Sequence, residues 1–211
     1  MPKPYHHGNL RATLLQAAET LLEERGASAL TLREVAKTAG VSHAAPYHHF
    51  ENLEALNAAV AERGFALLAD EMAAAQGADV RERLLAICEA YVRFALRRPE
   101  QFRLMFGPLL AHKQKHPRLQ QSAERSFGVL LQAATEFSAD EGAEIALCGW
   151  SLAHGYAHLA IDRVIETLPV PVPDAGTLAR RFAARLLGEA VATAAASAGT
   201  RQPRRRPGRG G

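Results

Sequence analysis

Apolar residues recur every three or four positions through the first fifty residues, a spacing typical of amphipathic helices. The first apolar stripe comprises Leu10, Leu14, Ala17, Ala18, Leu21 and Leu22. It predicts a helix that Asn9 caps and Gly26 ends. A second short helix follows Thr31, since Glu34 stands three residues later as in a capping box, and it ends at Gly40. Its predicted buried face comprises Leu32, Val35, Ala36 and Ala39.

The chain restarts at Val41, and Ser42 is a candidate N-cap for a third short helix over residues 43–49. Two short helices joined by a tight glycine turn, after a longer first helix, form a helix-turn-helix. We expect Val41, Ala45 and Phe50 to pack inward, which leaves four residues outward: His43, Ala44, Tyr47 and His48. A short helix with small and hydrogen-bonding side chains on its exposed face can enter a DNA major groove.

The remaining chain also has helical periodicity. Predicted helices cover residues 53–76, 80–97, 101–112, 118–137, 141–168 and 177–198. The proline-rich stretch LPVPVPDAG between the last two predicts an extended, exposed linker. Because no segment alternates as a strand does, the predicted fold is all-α with about nine helices.

Composition and charge fit a globular protein with a basic end. The chain is 48% hydrophobic and 22% charged, with a formal net charge of +3. Five arginines lie in residues 199–211, where no acid balances them. We expect either a disordered, solvated tail or a non-specific phosphate binder. No secretory signal is evident at the N-terminus, and the apolar residues 145–161 are too short and too rich in histidine for a membrane span. We therefore expect a cytoplasmic protein with no membrane partner.

The candidate chemistry is sparse. Cys88 and Cys148 lie in apolar helical sequence and are expected to be reduced core residues, with a redox switch as the alternative. His154 and His158 are four residues apart, as are His112 and His116, which is a metal-ligand spacing. No HExxH motif or nearby acid completes such a site, so no metal and no cofactor are expected. The absence of a phosphate loop or a nucleophile elbow predicts that the protein is not an enzyme, with no catalytic residue.

Aromatic residues in the second half predict a helical bundle that can enclose an apolar cavity. The residues expected nearest to a ligand there are Tyr91, Trp150, His154 and Tyr156. Gly149 and Gly155 flank Trp150 in one helix, which indicates close approach of a second helix.

Residues 5–65 resemble the DNA-binding domain of TetR-type (tetracycline repressor-like) transcriptional regulators. LTLREVAKTAGVS is similar to the second helix and turn of that family, and APYHHF to the end of its recognition helix. CGWSLAHGYAHL resembles the W-x-x-x-H-G signature of one subgroup's C-terminal domain, here Trp150, His154 and Gly155.

The resemblance implies a homodimer that binds double-stranded operator DNA and is released by an unknown small molecule. It implies a helix-turn-helix domain over residues 1–52, an effector-binding and dimerisation domain over 53–198, and the tail over 199–211. By motif, Thr31 and Tyr47 would contact phosphate, while four residues would lie at or near base edges: Ser42, His43, Ala44 and His48. Residues 147–162 and 178–193 would pair with their copies as a four-helix bundle, with Gly155, His158 and Leu178 at the interface.

One departure from the family concerns charge. Leu53 stands where the family usually has a phosphate-contacting lysine, and residues 1–52 carry five basic and five acidic side chains. DNA affinity would then depend on histidine protonation, the basic tail or backbone N–H groups. Two other functions remain open: a metal- or redox-responsive DNA-binding sensor, and an architectural DNA-binding protein.

Overall fold

The computed structural model describes residues 10–107, 115–169 and 171–199, and side chains as far as residue 188. The described α-helices are α1 (Leu10–Arg25), α2 (Leu32–Thr38), α3 (Leu53–Ala73), α4 (Val80–Arg97), α5 (Pro99–Phe106), α6 (Pro117–Phe137), α7 (Gly142–Ile161) and α8 (Ala175–Gly199). Short 3₁₀ helices lie at Ala27–Ala29, Ala45–His48 and Ile165–Thr167. No strand occurs among these residues, so the all-α prediction is confirmed.

Side-chain caps explain where several helices begin. Thr31 Oγ1 accepts the Glu34 backbone N–H at 3.1 Å, as the capping-box pattern predicts. Asn52 and Asp79 do the same for α3 and α4, at 2.9 and 2.7 Å. Of these three caps only Thr31 was predicted from the sequence; Asn52 and Asp79 are likewise local caps, since each accepts the N–H of the residue three positions later. Asn9, His112 and the basic tail from residue 200 lie outside the described residues.

Two apolar clusters form the interior. The N-terminal cluster joins α1, α2 and the start of α3, and it includes Phe50 and Leu104. The C-terminal cluster joins α3 to α8 around Phe94 and Phe102, which are both fully buried. Helices α3 and α5 contribute to both clusters. A displacement of either helix therefore disturbs packing on both sides.

The backbone at the start of helix α5 is hydrogen-bonded to a polar side chain of α1. Pro99 occupies its first position, and no side chain of its own cap residue accepts a hydrogen bond. Glu23 of α1 fills that role, since its carboxylate accepts the Gln101 N–H at 2.8 Å and the Glu100 N–H at 3.4 Å. The buried Gln101 side chain donates to the Val60 carbonyl at 3.2 Å, which ties α5 to α3 as well.

Glu19 is a buried acid beside this joint, and only 5% of its surface is exposed. Its carboxylate lies 3.1 Å from Arg63 and 3.5 Å from the Gln101 amide nitrogen. Burial raises the pKa of the Glu19 carboxyl above its ordinary value, while Arg63, Arg98 and Gln101 act in the opposite direction. Ionised Glu19 is therefore less favourable in the folded protein than in water.

Three predicted helix boundaries are wrong. The helix predicted over residues 101–112 begins at Pro99, because proline is favoured in a first helical turn, and it ends at Phe106. The helix predicted over 141–168 ends at Ile161. There Arg163 adopts a left-handed φ of 58°, and the Val164 N–H bonds to the Leu159 carbonyl at 3.0 Å. This is a Schellman ending without glycine, so the sequence carried no sign of it.

Candidate DNA-binding surface and effector cavity

A left-handed glycine turn ends α2. Gly40 has φ 67°, its N–H bonds to the Lys37 carbonyl at 3.1 Å, and the Val41 N–H bonds to the Ala36 carbonyl at 3.0 Å. This Schellman motif needs a residue that tolerates positive φ, which glycine does at no steric cost. The turn directs the chain away from α2 into the next segment, as a helix-turn-helix requires.

The segment after the turn, residues 42–49, will be called the recognition segment. The predicted third helix is shorter than expected, since only Ala45–His48 is helical and it is a 3₁₀ helix. Pro46 has no N–H to donate to the carbonyl of Ser42, which instead accepts from Ala45 at 3.0 Å. The three-residue hydrogen-bond spacing follows from that loss. Ser42 does not cap it by its side chain; the cap position is Ala44.

The recognition segment presents its polar side chains to solvent. The six residues predicted to contact DNA are all exposed: Thr31, Ser42, His43, Ala44, Tyr47 and His48. Tyr47 is 61% exposed, which is unusual for so large a ring. His49 is exposed too. These side chains are available to a partner.

Two buried residues hold the recognition segment in place. Phe50 and Pro46 are buried, whereas Val41 and Ala45 are only partly so. Pro46 was not among the predicted inward residues. The Arg11 guanidinium lies 5.5 Å from the centroid of the Phe50 ring, a cation–π contact between the start of α1 and the end of the segment. The segment is short but is held at both ends.

A cavity of about 390 Å³ lies among α3, α4, α5, α6 and α7. That volume falls within the range of small-molecule sites. Its apolar wall includes Phe65, Met72, Phe106, Phe127, Leu130 and Leu147. Two of the four predicted ligand residues, Tyr91 and Trp150, also line it.

Tyr91 is the centre of a small polar network at the cavity wall. Its hydroxyl oxygen accepts the Trp150 indole N–H at 3.2 Å and lies 2.8 Å from His154 Nδ1. Burial raises the pKa of Tyr91 well above its ordinary range, and the Trp150 hydrogen bond opposes that shift. The hydroxyl is therefore neutral at physiological pH. His154 packs its ring against that of Phe106, a residue of the cavity wall, at a centroid distance of 4.6 Å.

Tyr156 lies elsewhere. It is two residues from His154, and residues so spaced point to opposite sides of a helix. Its ring packs against Phe182 of α8 at 6.1 Å and lines a different cleft, with Leu96 and Val172. The structure therefore does not bring Tyr156 to the cavity of Tyr91 and Trp150.

The three predicted interface residues differ in exposure. Gly155 is exposed, and nothing lies within 4 Å of where its Cβ would be. His158 is half-buried against Phe102 of its own chain, at 5.4 Å. Leu178 is also half-buried, packed on the C-terminal cluster. Gly149, unlike Gly155, has a neighbour at its Cβ position, which is Cys88 of α4. The close approach predicted at Gly149 is therefore made by a helix of the same chain.

The metal- and redox-responsive alternatives depend on two cysteines and on spaced histidines, of which His154 and His158 have ring centroids 4.6 Å apart. Cys88 and Cys148 are free thiols, and burial raises the pKa of Cys88 to about 12. A thiol with such a pKa is a poor nucleophile. In the part of the chain that the structure describes, no group of three or more His, Cys, Asp or Glu residues is arranged to hold a metal ion. His116 instead lies 3.3 Å from Glu54.

Most of the cavity wall was missed by sequence reasoning. Helix α6 supplies Ala123, Ser126, Phe127 and Leu130, and α3 supplies Phe65 and Met72. Their helical spacing predicted buried faces, but an apolar face that fills a core and one that borders a cavity have the same pattern.

No described helix is long and apolar enough to cross a bilayer.

Two family models match the N-terminal and the C-terminal parts of the chain separately. Residues 14–60 match the family model described as bacterial regulatory proteins, tetR family. Residues 84–186 match the model described as the tetracyclin repressor-like C-terminal domain. None of the curated proteins matches the sequence.

Solved structures have the same fold. A protein of unknown function from Rhodococcus sp. RHA1 is 32% identical, with a TM-score of 0.74, over 89% of this chain and 98% of that one. A TetR family transcription regulator from Marinobacter aquaeolei VT8 is 23% identical, with a TM-score of 0.61, over 84% and 95% of the two chains. The fatty acid degradation regulator FadR from Bacillus halodurans is 14% identical, with a TM-score of 0.66, over 84% and 98%.

Proposed function

This chain belongs to the TetR family of transcriptional regulators, and on that premise we propose that it is a homodimeric repressor that a small molecule releases from operator DNA. Membership of this family shows that the chain is a DNA-binding regulator. Repression, release by a ligand and the roles of individual residues are the proposal. Its expected location is the cytoplasm, where the operator is accessible.

The exposed recognition segment carries the DNA-binding part of the proposal. Its hydroxyl and imidazole groups can donate to or accept from base edges, and the small Ala44 allows close approach. Tyr47 and Thr31 are assigned to phosphates, which position the protein without reading sequence. Leu53 is exposed and apolar, so it supplies no phosphate contact of the kind a lysine would.

DNA binding is tested by retention of genomic fragments on purified protein, followed by gel shift with the retained sequence. Ala44→Glu places a negative charge on the recognition segment, and it should abolish retention because the charge faces phosphates. Ala73→Glu is the matched control, since Ala73 is exposed at the end of α3 and far along the chain from the segment. Equal retention by both variants would show that the recognition segment does not read DNA.

An exposed apolar stripe on α7 supports the dimer. Leu152, Gly155 and Leu159 follow helical spacing, and the two leucines are 44% and 48% exposed. Large apolar side chains grouped on a surface generally mark a contact with another chain. We assign the partner as a second copy, in which the same stripe would pair isologously. The open space at Gly155 would let the two helices approach closely.

The dimer is tested by sedimentation velocity on Gly155→Glu, which would bury an unpaired charge in the interface. Gly128→Glu is the matched control, because Gly128 on α6 also has open space at its Cβ position. The control should remain dimeric while Gly155→Glu becomes monomeric. A dimeric Gly155→Glu that binds DNA normally would place the interface elsewhere.

The cavity supports ligand-dependent release. Phe106 of α5 borders it, and α5 is the helix that Glu23 and Gln101 join to α1 and α3. A ligand that displaces α5 can therefore alter the position of the recognition segment. The test is to screen small molecules for release of bound operator in a gel shift. If no compound that binds the protein changes its DNA affinity, the proposed sensor function fails.

A further inference from the structure

We infer that the effector is an uncharged aromatic compound that carries one hydroxyl group. This inference rests on the proposed role of the cavity as the effector site and specifies the chemistry of its occupant. It depends on three observations: the absence of charged side chains among the described lining residues, the rings that surround the space, and the hydrogen-bonding capacity left at Tyr91.

The first observation concerns charge. Among the described lining residues none carries a formal charge, and Tyr91 is held neutral by burial. A carboxylate or ammonium group would lose its water there and gain no counter-charge. Charged ligands are therefore strongly disfavoured relative to neutral ligands of the same shape.

The second observation concerns shape. Aromatic rings border the cavity from five helices: Phe65, Tyr91, Phe106, Phe127 and Trp150. Phe127 and Trp150 already stack edge to face, with centroids 5.8 Å apart. A flat apolar ring can make the same edge or offset contacts with several of these side chains at once.

The third observation concerns polarity. A phenol has one O–H donor and two acceptor lone pairs. The Trp150 N–H takes one lone pair of Tyr91, and His154 Nδ1 takes either the donor or the second lone pair, according to its tautomer. One site on the Tyr91 oxygen remains in both cases. It accepts in the first case and donates in the second.

A ligand hydroxyl satisfies either state, because it can donate and accept. A bare hydrocarbon would leave that site unpaired. The Ser126 hydroxyl, also on the wall, already donates to the Ala123 carbonyl at 2.8 Å, so it could accept from a ligand but has no proton left to donate to one. The hydroxyl of the ligand is thus assigned to Tyr91.

The test uses four probes of similar shape: 4-tert-butylphenol, tert-butylbenzene, 4-tert-butylbenzoate and 4-tert-butylbenzylammonium. Trp150 is the only tryptophan in the chain and borders the cavity, so its fluorescence, excited where phenols absorb little, reports binding directly. We expect the phenol to bind best. The two ions should bind at least about tenfold more weakly, and the hydrocarbon about three- to tenfold more weakly.

Two variants locate the effect. Tyr91→Phe should remove the advantage of the phenol over the hydrocarbon while both still bind. Ala123→Phe should fill the cavity and prevent binding of all probes, whereas Ala73→Phe, on an exposed surface, should not.

The inference is overturned if either ion binds as well as the phenol, if no probe binds, or if Tyr91→Phe keeps the original preference. None of these measurements uses DNA. Failure to retain operator DNA would therefore overturn the proposed function alone, and failure of the probes would overturn only the ligand class.

Discussion

Removing the Glu23 carboxylate should destabilise the protein by uncapping a helix that lies elsewhere in the chain. Pro99 has no N–H, so the first free donors of α5 are those of Glu100 and Gln101, and Glu23 accepts both. The 2.8 Å bond to Gln101 is short and charge-assisted, whereas the 3.4 Å bond to Glu100 is weak. Glu23 also places a negative charge at the positive end of the helix dipole.

The size of the effect follows from these parts. Loss of a helix N-cap costs about 0.5–2 kcal/mol, and hydrogen bonds to charged groups about 1.5–3 kcal/mol. We therefore expect Glu23→Ala to lower the free energy of unfolding by about 2 kcal/mol. Glu23→Gln keeps an acceptor but loses the charge, so it should cost about 1 kcal/mol.

The assay is urea unfolding followed by far-ultraviolet circular dichroism, at one protein concentration because dimerisation contributes to stability. Glu24→Ala is the control, since Glu24 is the exposed neighbour in α1 and should cost less than about 0.5 kcal/mol. If Glu23→Ala were no more destabilising than Glu24→Ala, the cap between α1 and α5 would make no measurable contribution to the free energy of unfolding.

Three further predictions concern titration and backbone strain. Because the pKa of Glu19 is raised on folding from 4.5, the native state holds its proton more tightly, and stability falls as pH rises above about 4.5; Glu19→Gln should reduce that decline in urea unfolding series at several pH values, and an unchanged series would contradict it. Imidazolium is favoured beside phosphate, so operator affinity and its salt dependence should increase from about pH 8 to about pH 6. His43→Gln and His48→Gln should weaken this trend in gel shifts, and a pH-independent wild type would exclude it. Arg163→Gly should relieve the left-handed φ and raise the free energy of unfolding by about 0.5–1 kcal/mol, whereas a decrease would show that the Arg163 side chain matters more.

The parts of the structure that the sequence predicts are those set by neighbouring residues. Thr31 caps α2 because Glu34 follows at the right distance, and Gly40 ends it because positive φ favours glycine. The exposure of Tyr47 and His48 follows from the same local pattern. Helical periodicity similarly predicts most of the apolar faces.

The parts of the structure that the sequence does not predict depend on distant residues or on details of backbone geometry. Glu23 caps a helix 77 residues away, which no local motif records. Pro46 was read as part of a helix, although its missing N–H favours a 3₁₀ turn. Tyr156 and His154 were both expected near the ligand, but helix geometry places the two on opposite faces. The cavity itself depends on how five helices pack.

Footprinting on a retained genomic fragment tests the central claim, that this chain is a dimeric reader of operator DNA, most directly. Dimeric helix-turn-helix proteins place their recognition elements about 34–36 Å apart or at a multiple of that distance. We predict two symmetric protected half-sites with this spacing, both lost in Ala44→Glu. A single asymmetric site, or a footprint that Ala44→Glu leaves unchanged, would contradict the account.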